Sequence, residues 1–315
     1  MPAGYIPGVV GIVILAIAVV AATARGGRVR AGWEHAVGLY GLGLFAWGQY
    51  SGLYVAPKEA MMGDVGRILY VHVPAAWISM LAFTWAFAGS FGALMLDAPR
   101  RLPAIIGGSA ASGLLAIGAA MALSGPARGL AAFFGILLVL TALECGVLYA
   151  GHRFFGWNAD RLDHFSKAST ETGIVLGVLL LYLGAVFARP TWGVYWTWDP
   201  RLTASAVMVL TFVGVSLLRS AVQDPVTRRS WVSVATIIAF VNIPVTYMAV
   251  KWWRTMHQLQ STPDTLNPDM TFWLRINAWA FLFIAMWFVA RRYRIAEARG
   301  LAEAAPALPP EGEVA

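Results

Sequence analysis

Apolar runs alternate with short polar stretches along this chain. Nine runs, at 8–24, 36–55, 74–96, 102–123, 129–150, 172–188, 202–218, 231–250 and 271–290, predict membrane-crossing helices. A helix needs roughly 20 apolar residues to cross the hydrocarbon of a bilayer. The pattern therefore predicts an all-α fold: a polytopic membrane helix bundle of about nine transmembrane helices. Prolines punctuate it. Pro74 suits the first turn of the third helix, where a missing N–H costs little. Arg189-Pro190 is expected to end the sixth helix. Asp199-Pro200 reads as an N-cap followed by the first helical position of the seventh. The longest mixed-charge connection is 152–171. The organisation expected is two N-terminal helices (1–55), an outer loop with His72 plus the third helix (56–101), an inserted helix pair (102–151), a core (152–292) and a disordered cytoplasmic tail (293–315).

Charge orients this frame. Only 12% of residues are charged and 59% are hydrophobic, against about 25% charged in a soluble domain. If the N-terminus lies outside, the inner loops hold 15 of the 23 Lys and Arg residues and the outer segments hold 8. That bias agrees with the positive-inside rule. It also explains the net charge of +7 better than nucleic-acid binding, for which no basic block with interleaved aromatics is present. The first run lacks the preceding positive charges of a signal peptide, since Arg25, Arg28 and Arg30 follow it. Three segments then share the outer face: 56–73, 189–201 and 251–270. The single cysteine, Cys145, allows no internal disulfide and no Cys-x-x-Cys pair.

The outer segments carry the chemistry. Trp192-Gly193-Val194-Tyr195-Trp196-Thr197-Trp198-Asp199 packs four aromatics and a carboxylate into eight positions. Two of the five histidines, His72 and His257, fall on the same side. Haem suits that set: its flat apolar ring packs on aromatic faces, and its iron takes neutral imidazole nitrogens. Its propionates need cations, for which Arg67, Arg189, Arg201, Lys251 and Arg254 are candidates. Each element also has a plainer reading. Trp and Tyr gather at membrane interfaces, either histidine alone is ordinary there, Asp199 is a natural cap, and Gly193 permits a tight turn. Glu144 lies within an apolar run near its inner end, and Cys145 reads as a packing residue.

Trp192-Gly193, Trp196, Trp198 and Asp199, with Pro-Arg-Leu-Thr at 200–203, resemble the signature of the WWD-domain haem-handling family. His72 in His-Val-Pro-Ala-Ala, Val241-Asn242-x-Pro244 and His257 in Trp-Trp-x-Thr-x-His-Gln extend the resemblance, which is strongest to the cytochrome c maturation protein C (CcmC) branch. It covers roughly 56–96 and 160–292. The resemblance implies haem (haem b) held on the outer face of a bacterial inner membrane. His72 and His257 would be its axial ligands, and Trp192, Gly193, Tyr195, Trp196, Trp198 and Asp199 the platform. Arg67, Arg201 and Arg254 would stand by the propionates. It also implies loading of a membrane-tethered haem chaperone, CcmE, beside the ABC transporter subunits CcmA and CcmB and the small subunit CcmD. The chain has no Gly-x-x-x-x-Gly-Lys motif, so any ATP hydrolysis falls to a partner. Two departures stand out. The family has six spans where nine are read here, and Tyr195 replaces a customary Trp. A haem–apocytochrome ligase of the same superfamily, a channel with an aromatic mouth and a non-haem scaffold are the competing readings. A ligase would carry mid-membrane histidines, a channel would line its path with polar residues, and a scaffold would bind partners without haem.

Overall fold

The computed structural model describes residues 6–13, 28–59, 62–257 and 267–304. Its helices are α1 (Arg28–Tyr54), α2 (Leu69–Leu96), α3 (Leu102–Ala122), α4 (Gly125–Phe155), α5 (Ala159–Trp192), α6 (Pro200–Ala221), α7 (Pro225–Phe240), α8 (Asn242–Trp252) and α9 (Pro268–Ala304). Short 3-10 turns occupy Asp64–Ile68 and Pro99–Arg101, and residues 6–13 are helical. No strand occurs among the described residues, only an isolated bridge between Glu59 and Gly63.

Among the described residues, six stretches are long and apolar enough to cross a bilayer: Asp64–Leu96, Pro99–Ala122, Ala159–Trp192, Pro200–Ala221, Pro225–Trp252 and Pro268–Ala302. The chain is a multi-pass, all-helical membrane protein, and six of the nine expected runs coincide with these stretches. α1 and α4 overlap the expected runs at 36–55 and 129–150 but are not among the six. In α1, Gly, Tyr, Trp and Gln positions dilute the aliphatic content. The first expected run, 8–24, lies largely outside the described residues.

Several boundaries differ from the sequence expectation, each for a local reason. The 3-10 turn at Asp64–Ile68 leads straight into α2. Pro74 therefore sits inside the helix, and His72 stands on the helix, not in a loop. The mixed-charge connection is helical from Ala159, because Asn158 caps α5 by accepting from the Arg161 amide at 2.9 Å. α5 also continues through Pro190 to Trp192 and stops only at Gly193, whose φ of 81° is the left-handed conformation of a helix end. The eighth expected helix is split at Val241 into α7 and α8. There the Asn242 side chain donates to the Ala239 carbonyl at 3.1 Å, and Pro244 has no N–H to offer. The tail expected to be disordered from 293 is helical as far as Ala304, and the rest lies outside the described residues.

α2 is the axis of the bundle. It packs along α5 over most of its length and also touches α7 and α9. Gly89 permits the closest approach, since a Cβ there would stand 3.0 Å from both the Leu162 carbonyl oxygen and the Ser166 nitrogen of α5. Small residues at such crossings let backbones meet where lipid offers no hydrophobic drive. Ser90 and Ser166 share a hydroxyl hydrogen bond of 2.7 Å, and Ser79 donates to the Gly173 carbonyl at 3.0 Å. The largest apolar cluster joins α2, α5, α6 and α7, with Phe83 and Phe212 fully buried and stacked at 3.8 Å. α1 packs on α9, and α3 pairs with α4.

The two ends of the bundle differ. The start of α2, the end of α5, the start of α6, the end of α8 and the start of α9 meet at one end. At the other, Arg219 forms a bidentate pair with Asp163, with both contacts at 2.7 Å. Arg229 bridges Asp97 and Asp160, and Arg292 pairs with Glu171. The stacked phenyl pair is the test of the core. Phe212→Ala is expected to cost about 3–5 kcal/mol, read as a lower thermal midpoint in detergent. An unchanged midpoint would show that the stack does not hold α2 to α6.

Candidate functional site

A cleft of about 210 Å³ opens at the first of these ends. Its walls come from α2, α5, the start of α6, the segment after α8 and the start of α9. On α2, His72, Ala76 and Met80 recur every fourth residue and face the cleft, with Val73 and Trp77 beside them. Leu180, Leu181, Gly184 and Phe187 of α5 form the opposite wall. Gly184 seats the imidazole: a Cβ there would meet Cε1 of His72 at 3.2 Å. The ring lies against the Leu180 carbonyl. Its Nδ1 is nevertheless buried and makes no hydrogen bond. An unpaired polar atom in an apolar wall is costly.

His257 reaches the same cleft from the other side of the chain. It lines the cavity with Met256 and Arg201. Asp199 determines where it sits. This carboxylate is only 7% exposed. It caps α6 by accepting from the Arg201 amide at 2.9 Å. It also accepts from the Thr255 hydroxyl at 2.6 Å and from the Met256 amide at 2.7 Å. The His257 amide then donates to the Thr255 hydroxyl oxygen at 3.1 Å. One side chain thus fastens the aromatic segment to the segment bearing His257. Burial pushes the Asp199 carboxyl upward, but the bonds from Thr255, Met256, Arg201 and Leu202 outweigh it and hold it below the usual range. Arg201 adds a second tie, donating to the carbonyls of Thr246 at 2.6 Å and Tyr247 at 3.2 Å on α8.

The aromatic residues form a ledge at the mouth. Trp192 and Trp196 line the cleft. Trp198 packs edge-on to Trp196 at 5.9 Å and is 83% exposed. Tyr195 is exposed beneath the Arg189 guanidinium, 5.7 Å from its ring centre. Arg189 also donates to the Gly193 carbonyl and so holds the turn. Of the sequence candidates, His72, His257, Trp192, Trp196 and Arg201 line the cleft, while Gly193, Tyr195, Trp198 and Asp199 lie beside it. Arg67 and Arg254 do not line it. Arg67 is bound to Asp64 and to the carbonyls of Gly52 and Ala56, and Arg254 is exposed. The sequence reading missed Trp77, Gly184, Thr255 and Met256. Trp77 lies on the same helix as His72 and was open to a helical reading of that stretch, whereas nothing local marks Gly184 as the seat of the His72 ring or Thr255 as a partner of Asp199.

These features define a multi-pass helical protein with an imidazole-bearing apolar cleft and an exposed aromatic ledge at one end. A family model described as "CcmC: Heme exporter protein C" matches residues 16–129 and 136–304. The chain belongs to that family. It is 27% identical to a "Heme exporter protein C" of Bradyrhizobium diazoefficiens, over 79% of this chain and 74% of the relative. It is 25% identical to that of Escherichia coli strain K12 over 77% of this chain and 75% of the relative. With that of Haemophilus influenzae it shares 25% over 82% and 79%.

The Asp199 bonds generate a prediction. Asp199→Ala removes a cap and two further bonds to a charged acceptor, on the order of 2–4 kcal/mol, and frees the His257 segment. Hydrogen exchange at the Met256 amide is expected to quicken. Because the folded carboxyl is held low, its stabilisation is present above the ordinary Asp value near ~4. It is lost as pH falls through the lower folded value. Asp199→Asn should remove that acid dependence. Unchanged exchange at Met256 in Asp199→Ala would show that the bonds do not position the segment.

Proposed function

We propose that this protein is a haem-handling membrane protein of cytochrome c biogenesis, holding haem in the cleft between His72 and His257. One observation carries the reading. Two histidines 185 positions apart in the chain line a single apolar cleft, and the Nδ1 of His72 is buried there without a hydrogen-bond partner in the protein. Neutral imidazoles are suitable axial ligands for haem iron. The residues fit the remainder of the group as well. Trp192 and Trp196 offer aromatic faces, and Arg201 is the cation at the rim. The cleft is smaller than the ~300–1,000 Å³ of an enclosing small-molecule pocket. A ring of haem's size would therefore extend beyond it, toward the exposed Trp198 and Tyr195. Arg67, committed to Asp64 and two carbonyls, and Arg254, outside the cleft, are the weaker propionate partners among the candidates. Bound haem b supplies the iron chemistry, and the chain supplies two donors, an aromatic face and an opening.

The same reading extends to setting and partners. The relatives' printed name, exporter of haem, agrees with a role in passing haem on. The receiver proposed is a membrane-tethered haem chaperone, CcmE, with CcmA and CcmB supplying ATP hydrolysis and CcmD as the small subunit. The exposed ledge leaves room for such a receiver. The membrane proposed is the bacterial inner membrane, with about nine spans and the cleft on the outer face. α1, α4 and the run at 8–24 add to the six long apolar stretches.

His72→Ala and His257→Ala are each expected to weaken haem retention and shift the Soret band, and Gly184→Leu to do the same by displacing the His72 ring. Wild-type spectra in both histidine variants would sink the axial assignment. Orientation has its own test. In a Cys145→Ser background, an impermeant maleimide added to right-side-out vesicles should label Val194→Cys and spare Ala298→Cys. The opposite pattern would invert the topology.

A further inference from the structure

A second cavity, of about 290 Å³, lies at the opposite end of the bundle, among α5, α6, α7 and α9. We propose that it binds the phosphate headgroup of an anionic phospholipid. Lys167, Arg219, Arg228 and Arg299 line it against two carboxylates, Asp163 and Glu171. Both carboxylates are engaged. Asp163 gives both oxygens to Arg219, and Glu171 accepts from Arg292, a cation outside the lining. Lys167 and Arg299 come from different helices. Lys167 shares Glu171 with Arg292, so the four lining cations outnumber the two carboxylates and leave an excess of positive charge around a concave space.

The lining selects the ligand class. Ser216, Ser220, Thr170 and His164 add polar groups between the cations, which suits a compact oxyanion. It does not suit a flat apolar ring, so this is not a second haem cleft. Depth selects the source. The cavity lies where the long apolar stretches end: Asp163 and Lys167 near the start of one, Arg219 at the end of another, Arg299 close to the end of a third. Lipid phosphates occupy that level, and basic pockets between helices attract anionic headgroups there. Val215 and Ala296 give the cavity an apolar side beside its charges.

The test uses the full chain in nanodiscs of phosphatidylcholine, with and without phosphatidylglycerol. Native mass spectrometry reads retained lipid, and the thermal midpoint reads its effect. The wild type should retain phosphatidylglycerol and gain stability from it. A Lys167→Gln/Arg299→Gln variant, with its wild-type midpoint kept in neutral discs, should lose roughly 30-fold of the preference. Inorganic phosphate added to neutral discs should do nothing. If phosphate reproduces the gain, the ligand is a free anion and the lipid proposal fails. Equal retention of both lipids by the wild type would also overturn it, whatever the variant does. The haem spectrum is unaffected by either outcome, so failure here is separable from failure of the haem cleft.

Discussion

A buried carboxylate that accepts hydrogen bonds from two segments distant from each other in the chain holds the functional end of this protein together. Asp199 accepts from the first turn of α6, from the Thr255 hydroxyl and from the Met256 amide. Hydrogen bonds to a charged acceptor are stronger than neutral ones. Here they tie segments more than 50 residues apart in sequence. Without that tie, His257 would be two residues from a bond that holds nothing. The last aromatic of the ledge, Trp198, would precede a helix with no cap. The carboxylate thus acts on the site through position, while the histidines and tryptophans face the cleft.

The other side of the cleft depends on a different constraint. α2 and α5 lie so close at their crossing that a Cβ in place of Gly89 would stand 3.0 Å from α5 backbone. Hydroxyl bonds between the same helices fix their register. That register places Gly184 against the His72 ring and brings α5 to its end at Trp192 beside the cleft. His72 is therefore positioned by helix packing and His257 by a polar clasp. The first stands on a long apolar helix, and the second lies on a short segment beyond the end of α8.

Much of this was legible in the sequence. The apolar runs gave the helical, multi-pass class, and Asp199-Pro200 gave a cap and a first helical residue where the structure has them. His72, His257, Trp192, Trp196 and Arg201 were identified by residue type and by side of the membrane, and they share one cleft. What was not legible depended on distant partners. Pro74 and Pro190 suggested helix boundaries, but both sit inside helices: Pro74 is buried in the α2 packing, and α5 runs on past Pro190 to its glycine end at Gly193. The charges at 159–171 read as a loop until Arg219 and Arg292 arrive from other helices to pair with Asp163 and Glu171. Arg67 read as a free cation, yet it closes the turn after α1 through the carbonyls of Gly52 and Ala56. No local pattern encodes such pairings.

The central claim is that two imidazoles hold one haem iron. The electron paramagnetic resonance spectrum of the protein loaded with ferric haem tests it most directly. Ligation by His72 and His257 predicts a six-coordinate, low-spin signal. A high-spin, five-coordinate signal from the intact wild-type protein would contradict it, leaving at most one of the two histidines on the iron.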